Sequence, residues 1–486
     1  MFEILSSYWP HIVFVLSVVM GATAAVHVAM TKEEVRSAVG WVGVILLSPI
    51  IGALLYLIAG INRIRRSVVY NRRMLRQGGA LAHLDLYDAE DPMVASHFGR
   101  RFLAMKTLGD RVTRHQLMSG NDIQLLDGGD AAYEAMLHAI RFARRSIILE
   151  TYIFDRDRIG KRFAEVLADA VKRGVAVRVL IDAVGARYSV PSVLGLLRDG
   201  GCEVAVFNGN VIMGLRLPYA NLRTHRKIMV VDGAIAFTGG MNIREGFSQE
   251  CAGADCAIDT HFRITGAVVA DLFSIAAEDW HYSSGEILEG DAWEIEPPGE
   301  RPGMPKLIRA VASGPDRSVE TNHKMLMGAF SIARSSIRIV SPYFLPDREL
   351  ISALATAARR GVKVDIVVPA ANNLTLVDRA MTAQFDQVLK GDCRIWRASG
   401  PFNHSKLMVI DGRWAYVGSS NLDPRSLRLN FEVDLEVFDL AFAEELETRI
   451  DRTIKFAKPV SLEQLRARPF PVRLFERVLW LGSPYL

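Results

Sequence analysis

The stretch His225-Arg226-Lys227-Ile228-Met229-Val230-Val231-Asp232-Gly233, followed by Thr238-Gly239-Gly240-Met241-Asn242, decides how this chain is read. It returns as His404-Ser405-Lys406-Leu407-Met408-Val409-Ile410-Asp411-Gly412, with Gly418-Ser419-Ser420-Asn421 behind it. Both copies obey His-x-Lys-x4-Asp, with a Gly seven residues and an Asn ten residues after the Asp. Lys, Asp and Asn at set offsets from a given His coincide by chance on the order of once in ten thousand, so two occurrences are a repeat. Each copy reads as a β-hairpin: an apolar β-branched run, an Asp-Gly turn, and a returning strand. Strand side chains alternate faces, so His225 projects with Lys227, and His404 with Lys406. Asp232 and Asp411 complete each motif at the turn, on the opposite parity, where they hold the hairpin or a neighbour. Asn242 and Asn421 return near the strand ends, where an amide can donate to a phosphate oxygen.

The repeat extends beyond the hairpins. Ala143 to Leu149 and Lys172 to Leu180 have counterparts in Ala333 to Ile339 and Arg359 to Val367. Each pair reads as strand, helix closed by Gly174 or Gly361, and second strand, which is βαβ grammar and predicts an α/β sandwich. A unit of about 170 residues is too long for a solenoid, so the reading is two homologous domains, at 120–285 and 307–486. Between them, 286–306 carries Pro297-Pro298-Gly299 and Pro302-Gly303 and reads as an exposed linker.

The amino-terminal sixth is different in kind. Trp9 to Met30 and Ser37 to Ile61 contain no Lys, Arg, Asp or Glu. At 1.5 Å per residue the first run reaches about 33 Å, enough for a hydrocarbon core of about 30 Å. Residues 1–61 are therefore expected to form a transmembrane hairpin with spans at about 9–30 and 37–61, kinked at Pro49. The start Met1-Phe2-Glu3 lacks the basic residues of a cleaved signal. Residues 62–119 read as a basic juxtamembrane linker. Its Arg63, Arg65, Arg66, Arg72, Arg73 and Arg76 place both ends of the hairpin, and the domains that follow, on the cytoplasmic side of the membrane.

Half of the 486 residues are hydrophobic and 23% are charged, which excludes disordered and fibrous classes. The net charge is +4, and the six arginines of 62–76 contribute +6 without a single acid, so the remainder is net −2. The positive charge is a collar where anionic headgroups lie, not a coat for nucleic acid. Four cysteines without a Cys-x-x-Cys pair point to a reducing compartment, and Cys251-x4-Cys256 reads as thiols rather than metal ligands.

Two histidines, two lysines and two asparagines converging across a pseudo-twofold suit a phosphodiester. Lysines supply positive charge where phosphoryl oxygens gain negative charge, one neutral imidazole attacks phosphorus, and the other moves the proton. No metal and no cofactor is called for. His83, His97, His115, His138, His261, His281 and His323 have no such context and read as packing or surface residues. Val211 to Tyr219 either dips into lipid or packs, and the tail around Leu474 to Leu481 is either an interfacial amphipathic helix or a packing one.

The doubled pattern resembles the phospholipase D superfamily over about residues 120 to 486, and with the membrane hairpin it is most similar to the bacterial cardiolipin synthases within it. Pro342-Tyr343-Phe344-Leu345-Pro346, Asn421-Leu422-Asp423-Pro424-Arg425-Ser426 and Asp259-Thr260-His261 carry further likeness. The resemblance implies two phospholipase D-like α/β/α sandwich domains packed as a pseudo-twofold pair. It also implies phosphatidyl transfer between two phosphatidylglycerol molecules through a phosphatidyl-histidine. His225 would be the nucleophile and His404 the acid/base. Glu432 matches a carboxylate that orients an imidazole, with Asp259 as a shorter counterpart lying further from its own histidine. Asn242, Asn421, Ser419, Glu432 and Asp259 form the expected substrate-side set, and Gly239-Gly240 leaves the first half without a serine donor. A hydrolase using water, a membrane-tethered nuclease and a silenced scaffold remain alternatives, and the sequence is compatible with a homo-oligomer.

Overall fold

The computed structural model describes residues 2–32, 35–60, 84–208, 222–296, 306–316 and 318–483. The arginine collar at 63–76, the apolar loop 211–219 and the proline-rich stretch 297–303 lie outside them. The chain divides into two units, one of amino-terminal helices and one holding both halves of the repeat.

In the first unit, α1 (Phe2–Thr31) carries no charged residue after Glu3, and Tyr8–Thr31 is long and apolar enough to cross a membrane. The second run is not one helix. It forms α2 (Val35–Leu47) and α3 (Pro49–Leu55), which ends in a π-helical turn at Tyr56–Gly60. Pro49 has no N–H to continue the ladder and starts a new helix at Ser48, which accounts for the break. The three helices pack on one another around Val28, Ile45 and Tyr56. Gly21 lets Pro49 come close, since a Cβ there would sit 2.9 Å from the proline ring.

The second unit is built on a sheet that runs through both halves. The first half contributes β1 (Met118–Asp127), β2 (Ser146–Thr151), β3 (Ala176–Asp182), β4 (Glu203–Phe207), the short β5 (Arg223–Thr224), β6 (Ile228–Val231), β7 (Ile235–Gly239) and β8 (Thr260–Thr265). The second contributes β9 (Lys306–Ser313), β10 (Ser336–Val340), β11 (Lys363–Pro369), β12 (Arg394–Ala398), β13 (Leu407–Ile410), β14 (Trp414–Gly418) and β15 (Asn430–Phe438). The order is β12-β11-β10-β13-β14-β15-β9-β1-β8-β7-β6-β2-β3-β4, with β9 and β1 antiparallel at the centre and the two-residue strand Lys458–Pro459 added at the outer edge of β12 alone. The order reads the same outward from β9 and β1, which is the pseudo-twofold.

Strands β2, β3 and β4 are parallel, as are β10, β11 and β12. Ile147, Leu149, Val177, Val179 and Ile181 enter one core, while Ile148 and Leu180 are buried outside that cluster, as alternating side chains of a sheet covered on both faces must be. The crossover helices are capped alike. Asp157 accepts from Gly160 N–H at 2.9 Å and Asp347 from Leu350 N–H at 3.0 Å, and both helices give way to a left-handed glycine, Gly174 or Gly361.

The region 62–119 is not a linker throughout. Residues 91–112 form α4 (Asp91–Phe98) and α5 (Arg100–Val112), whose Val94, Phe98, Phe102 and Met105 enter the core of the second half. A buried cation ties them there. Arg309 on β9 pairs with Glu436 at 2.7 Å and Asp110 at 2.9 Å, and donates to the carbonyls of Lys106 and His115. The region after Val268–Ser284 is also less exposed than a linker should be. Leu288, Trp293 and Ile295 are buried, and Trp293 stacks on Phe273. The four thiols are free, three buried and Cys251 partly so.

Removing one partner from a buried ion pair strands the other, at a cost of about 3–5 kcal/mol. Arg309→Ala should therefore lower the unfolding free energy of the full chain, read from denaturant titration, by that order. A loss below about 1 kcal/mol would show that α4 and α5 are held by their apolar face alone.

Candidate active site

Each motif folds as a hairpin on a tight turn. Asp232-Gly233 and Asp411-Gly412 all have positive φ, in three-residue loops that join Val231 to Ile235 and Ile410 to Trp414 and are closed by the Ala234 and Arg413 N–H groups on Val231 O and Ile410 O. The two aspartates are at these turns and serve the backbone. Asp232 accepts from the N–H groups of Arg144, Arg145 and Ser146, and Asp411 from those of Arg334, Ser335 and Ser336 as well as from Arg101. They pin each hairpin to the strand beside it and are not part of the cavity wall, so they belong to the motif as structural members, as their place at the turn implied, and do not touch the reacting groups.

Before each hairpin the chain crosses to the other half. Strand β5 pairs with the start of β15, and His225 N–H donates to Phe431 O at 2.8 Å. Reciprocally, His404 N–H donates to Ile258 O at 2.7 Å. The histidines are thereby set beside the acids of the opposite domains. His225 Nδ1 lies 2.9 Å from Glu432 Oε2, and His404 Nδ1 lies 2.7 Å from Asp259 Oδ2. Asp259 is thus not a distant partner of His225 but a close partner of His404.

Both carboxylates are fully buried behind the imidazoles and act on them rather than lining the cavity. The Ser419 hydroxyl donates to Glu432 at 2.6 Å, so it too acts from behind. In the other half, a Cβ on Gly240 would meet the Asp259 carboxylate at 2.4 Å, which leaves no room for an equivalent serine. A shorter acid over glycine faces a longer acid over serine.

A carboxylate only accepts, so Nδ1 of each histidine is the donor and Nε2 keeps its lone pair when the ring is neutral. Burial lowers the pKa of both rings, with the neighbouring lysine adding to the effect, against the opposing pull of Glu432 or Asp259; His404 falls to about 4. Burial alone would raise both acids, but the histidine and lysine beside each bring them below the usual carboxylate range. The lysines lie beneath the rings. Lys227 Nζ donates to His225 O at 2.6 Å, and Lys406 Nζ lies 3.0 Å from the His404 ring nitrogens. Burial pulls Lys227 down to about 7 and Lys406 to about 8, against the raising charge of Glu432 and Asp259.

His225 and His404 open into one cavity of about 610 Å³. Asn242 and Asn421 share its wall, as do Arg223, Arg244, Arg425, Tyr152 and Tyr343. Asn242 Oδ1 accepts from Ile153 N–H at 3.2 Å, which turns its amide N–H₂ outward from that bond. Arg223 and Arg244 escaped the sequence reading, and Arg425 entered it only within a matching stretch, although each lies within four residues of a motif histidine or asparagine. The arrangement can bind an anionic phosphoryl group between two neutral imidazoles and the wall arginines, with Lys227 and Lys406 as buried positive charge behind the rings rather than on the cavity wall.

Outside the cavity, His323 lies 3.0 Å from Asp347 and 3.5 Å from Glu349. This is the one group of potential metal ligands among the described residues. The Asp347 hydrogen bond raises the His323 pKa. His115 and His261 are buried packing residues, the former against Asp271.

The fold and the opposed histidines define a two-domain enzyme of the phospholipase D superfamily. Residues 136–260 and 326–454 match the family described as cardiolipin synthase, PLD-like domain, and residues 20–60 match a phospholipase D-nuclease N-terminal family. The chain is 29% identical to a cardiolipin synthase of Alkalihalophilus pseudofirmus over 98% of its own length and 93% of the relative's. It is 31% identical to a cardiolipin synthase A of Pseudomonas aeruginosa over 96% and 94%. A phosphatidylserine synthase from Haemophilus influenzae shares the fold, at a TM-score of 0.59 and 18% identity, over 79% of this chain and all of that one. The chain belongs to the cardiolipin synthase family.

The lysines set a pH dependence. A group with a pKa near 7 to 8 loses its charge as pH rises through that value, and with it the hold on phosphoryl oxygens. The kcat/KM of the full chain should therefore fall above pH 7 to 8. In Lys227→Arg, whose guanidinium does not titrate, the alkaline limb should move upward. A rate still rising at pH 9 would contradict the assignment.

Proposed function

We propose that the enzyme joins two phosphatidylglycerol molecules into cardiolipin and releases glycerol, through a phosphatidyl group held on His225. The observation that carries this reading is the crossed pairing, in which each half lends a carboxylate to the other half's imidazole and both rings enter one cavity. His225 Nε2 attacks phosphorus of the first lipid, and the bond from phosphorus to the glycerol oxygen breaks. His404, whose pKa the bound phosphate charge raises so that it takes up a proton from solvent, gives that proton to the leaving oxygen. The terminal hydroxyl of a second phosphatidylglycerol then gives its proton to His404 as its oxygen attacks phosphorus, and the P–N bond breaks.

Lys227 and Lys406 stabilise the phosphoryl oxygens as buried positive charge behind the imidazoles, while Asn242, Asn421 and the wall arginines contact them from the cavity wall. Choosing His225 over His404 as nucleophile rests on the family likeness and on the better-supported carboxylate behind it, since Glu432 also accepts from Ser419. In this reading the amino-terminal unit passes the membrane twice, with both ends on the cytoplasmic side, as the arginine cluster after the second run favours. The net −2 outside that cluster disfavours nucleic acid as substrate.

Purified full chain given phosphatidylglycerol labelled in its headgroup and its acyl chains should yield cardiolipin and glycerol in equal amounts. Phosphatidic acid as sole product would contradict the transfer in favour of hydrolysis. His225→Ala and His404→Ala should each lower turnover by about 10³-fold, and full activity in either would overturn the mechanism.

A further inference from the structure

The last described helix, Phe470–Leu481, has two unlike faces. One face packs on the helix Thr375–Leu389 and on the second core through Leu479 and Trp480. Its Glu476 is buried and held by Arg379 and Arg468 at 3.4 and 2.8 Å. The other face carries Phe470, Leu474, Phe475, Val478 and Leu481, each at least half exposed. At 3.6 residues per turn these five form one apolar stripe, bordered by Arg473 and Arg477. A soluble surface does not keep two phenylalanines, two leucines and a valine in one exposed line without use.

The place of the stripe gives it meaning. Ser483, just beyond the helix, lines the catalytic cavity, as do Leu374 and Tyr188. Leu374 and Leu376 are exposed at the start of the helix beneath, and Val190, two residues after Tyr188, is almost fully exposed. Apolar groups thus crowd the mouth of a cavity whose floor is polar. Beside the helix runs a groove of about 400 Å³ lined by Arg466, Arg468, Arg473 and Arg477. Asp386 and Glu476 neutralise the first two, at 3.2 and 2.8 Å. Arg473 and Arg477 have no ion pair among the described residues, so the border of the stripe is positive.

We infer that the helix Phe470–Leu481 is a docking surface for an anionic lipid bilayer and seats the mouth of the catalytic cavity against the membrane. The apolar stripe enters the interface to the depth of the headgroup and acyl boundary, and Arg473 and Arg477 take the anionic headgroups. A diacyl lipid then reaches the histidines with its headgroup while its chains stay in hydrocarbon. The purpose of the surface rests on the proposed lipid substrate, but its detection does not.

Full chain carrying Phe475→Cys labelled with an environment-sensitive fluorophore, in a Cys251→Ser background, is reconstituted into phosphatidylcholine vesicles with and without phosphatidylglycerol. The emission should shift to the blue, more so with the anionic lipid, and be quenched by lipids spin-labelled along the acyl chain. The same label at Lys161, on an exposed helix of the first half, should stay unquenched. Emission at position 475 matching that control would overturn the inference. So would a blue shift that no lipid quencher reaches and that grows with protein density, which would mean a second copy on the stripe. Leu474→Glu with Val478→Glu should raise KM for vesicle substrate roughly tenfold while leaving turnover of soluble short-chain phosphatidylglycerol within about twofold. Equal loss on both substrates would mark the helix as structural. If the label is quenched but no cardiolipin forms, the docking stands and the proposed reaction fails.

Discussion

Two hydrogen bonds, Glu432 to His225 and Asp259 to His404, are what the rest of the architecture serves. Each joins a histidine from one half to an acid from the other, so neither half holds a complete site. A neutral imidazole in a buried place needs its Nδ1–H satisfied, and a buried carboxylate needs a donor. Leaving either alone costs about 1–3 kcal/mol, and more for the charged partner. The crossing makes the association of the two halves and the orientation of the two nucleophile-grade nitrogens the same event.

The fold can be followed from that demand. Strands β1 and β9 meet antiparallel at the centre of the sheet, and the acids stand on β15 and at the entry to β8, next to that centre. Histidine segments reach them because the chain before each hairpin pairs across the boundary, at Phe431 and at Ile258. Turn aspartates then fix each hairpin from its far end, so His and Lys are held at one end and the backbone at the other. The lysines, crowded under the rings and against each other's charge, are left poised to gain from an arriving anion.

Much of this was legible in the sequence, because it rests on short-range rules. Period-two alternation puts Lys227 on the face of His225, Asp232-Gly233 must turn, and Gly174 and Gly361 close helices in both halves. The first apolar run is a single helix as its composition requires. What was not legible depends on distant pairing. Glu432 and His225 are separated by 207 positions, and no local pattern says that the acid of one half serves the other's histidine. The helices at 91–112 were hidden for the same reason, since Phe98, Phe102 and Arg309 only make sense together once the second core is in view. The wall arginines Arg223, Arg244 and Arg425 lay beside the motifs, but without the cavity they were ordinary surface charges.

The comparisons place the chain in its family, and the geometry says how such a chain can work without a resident metal being invoked. In the proposed reaction one phosphoryl transfer is divided into two in-line steps at a single site, with two imidazoles in complementary roles. The measurement that tests this most directly is peptide mapping by mass spectrometry of full chain quenched in alkali during turnover of phosphatidylglycerol. A phosphatidyl adduct on the peptide bearing His225 is the predicted result. An adduct on His404, or steady cardiolipin formation with no adduct on either histidine, would contradict the account.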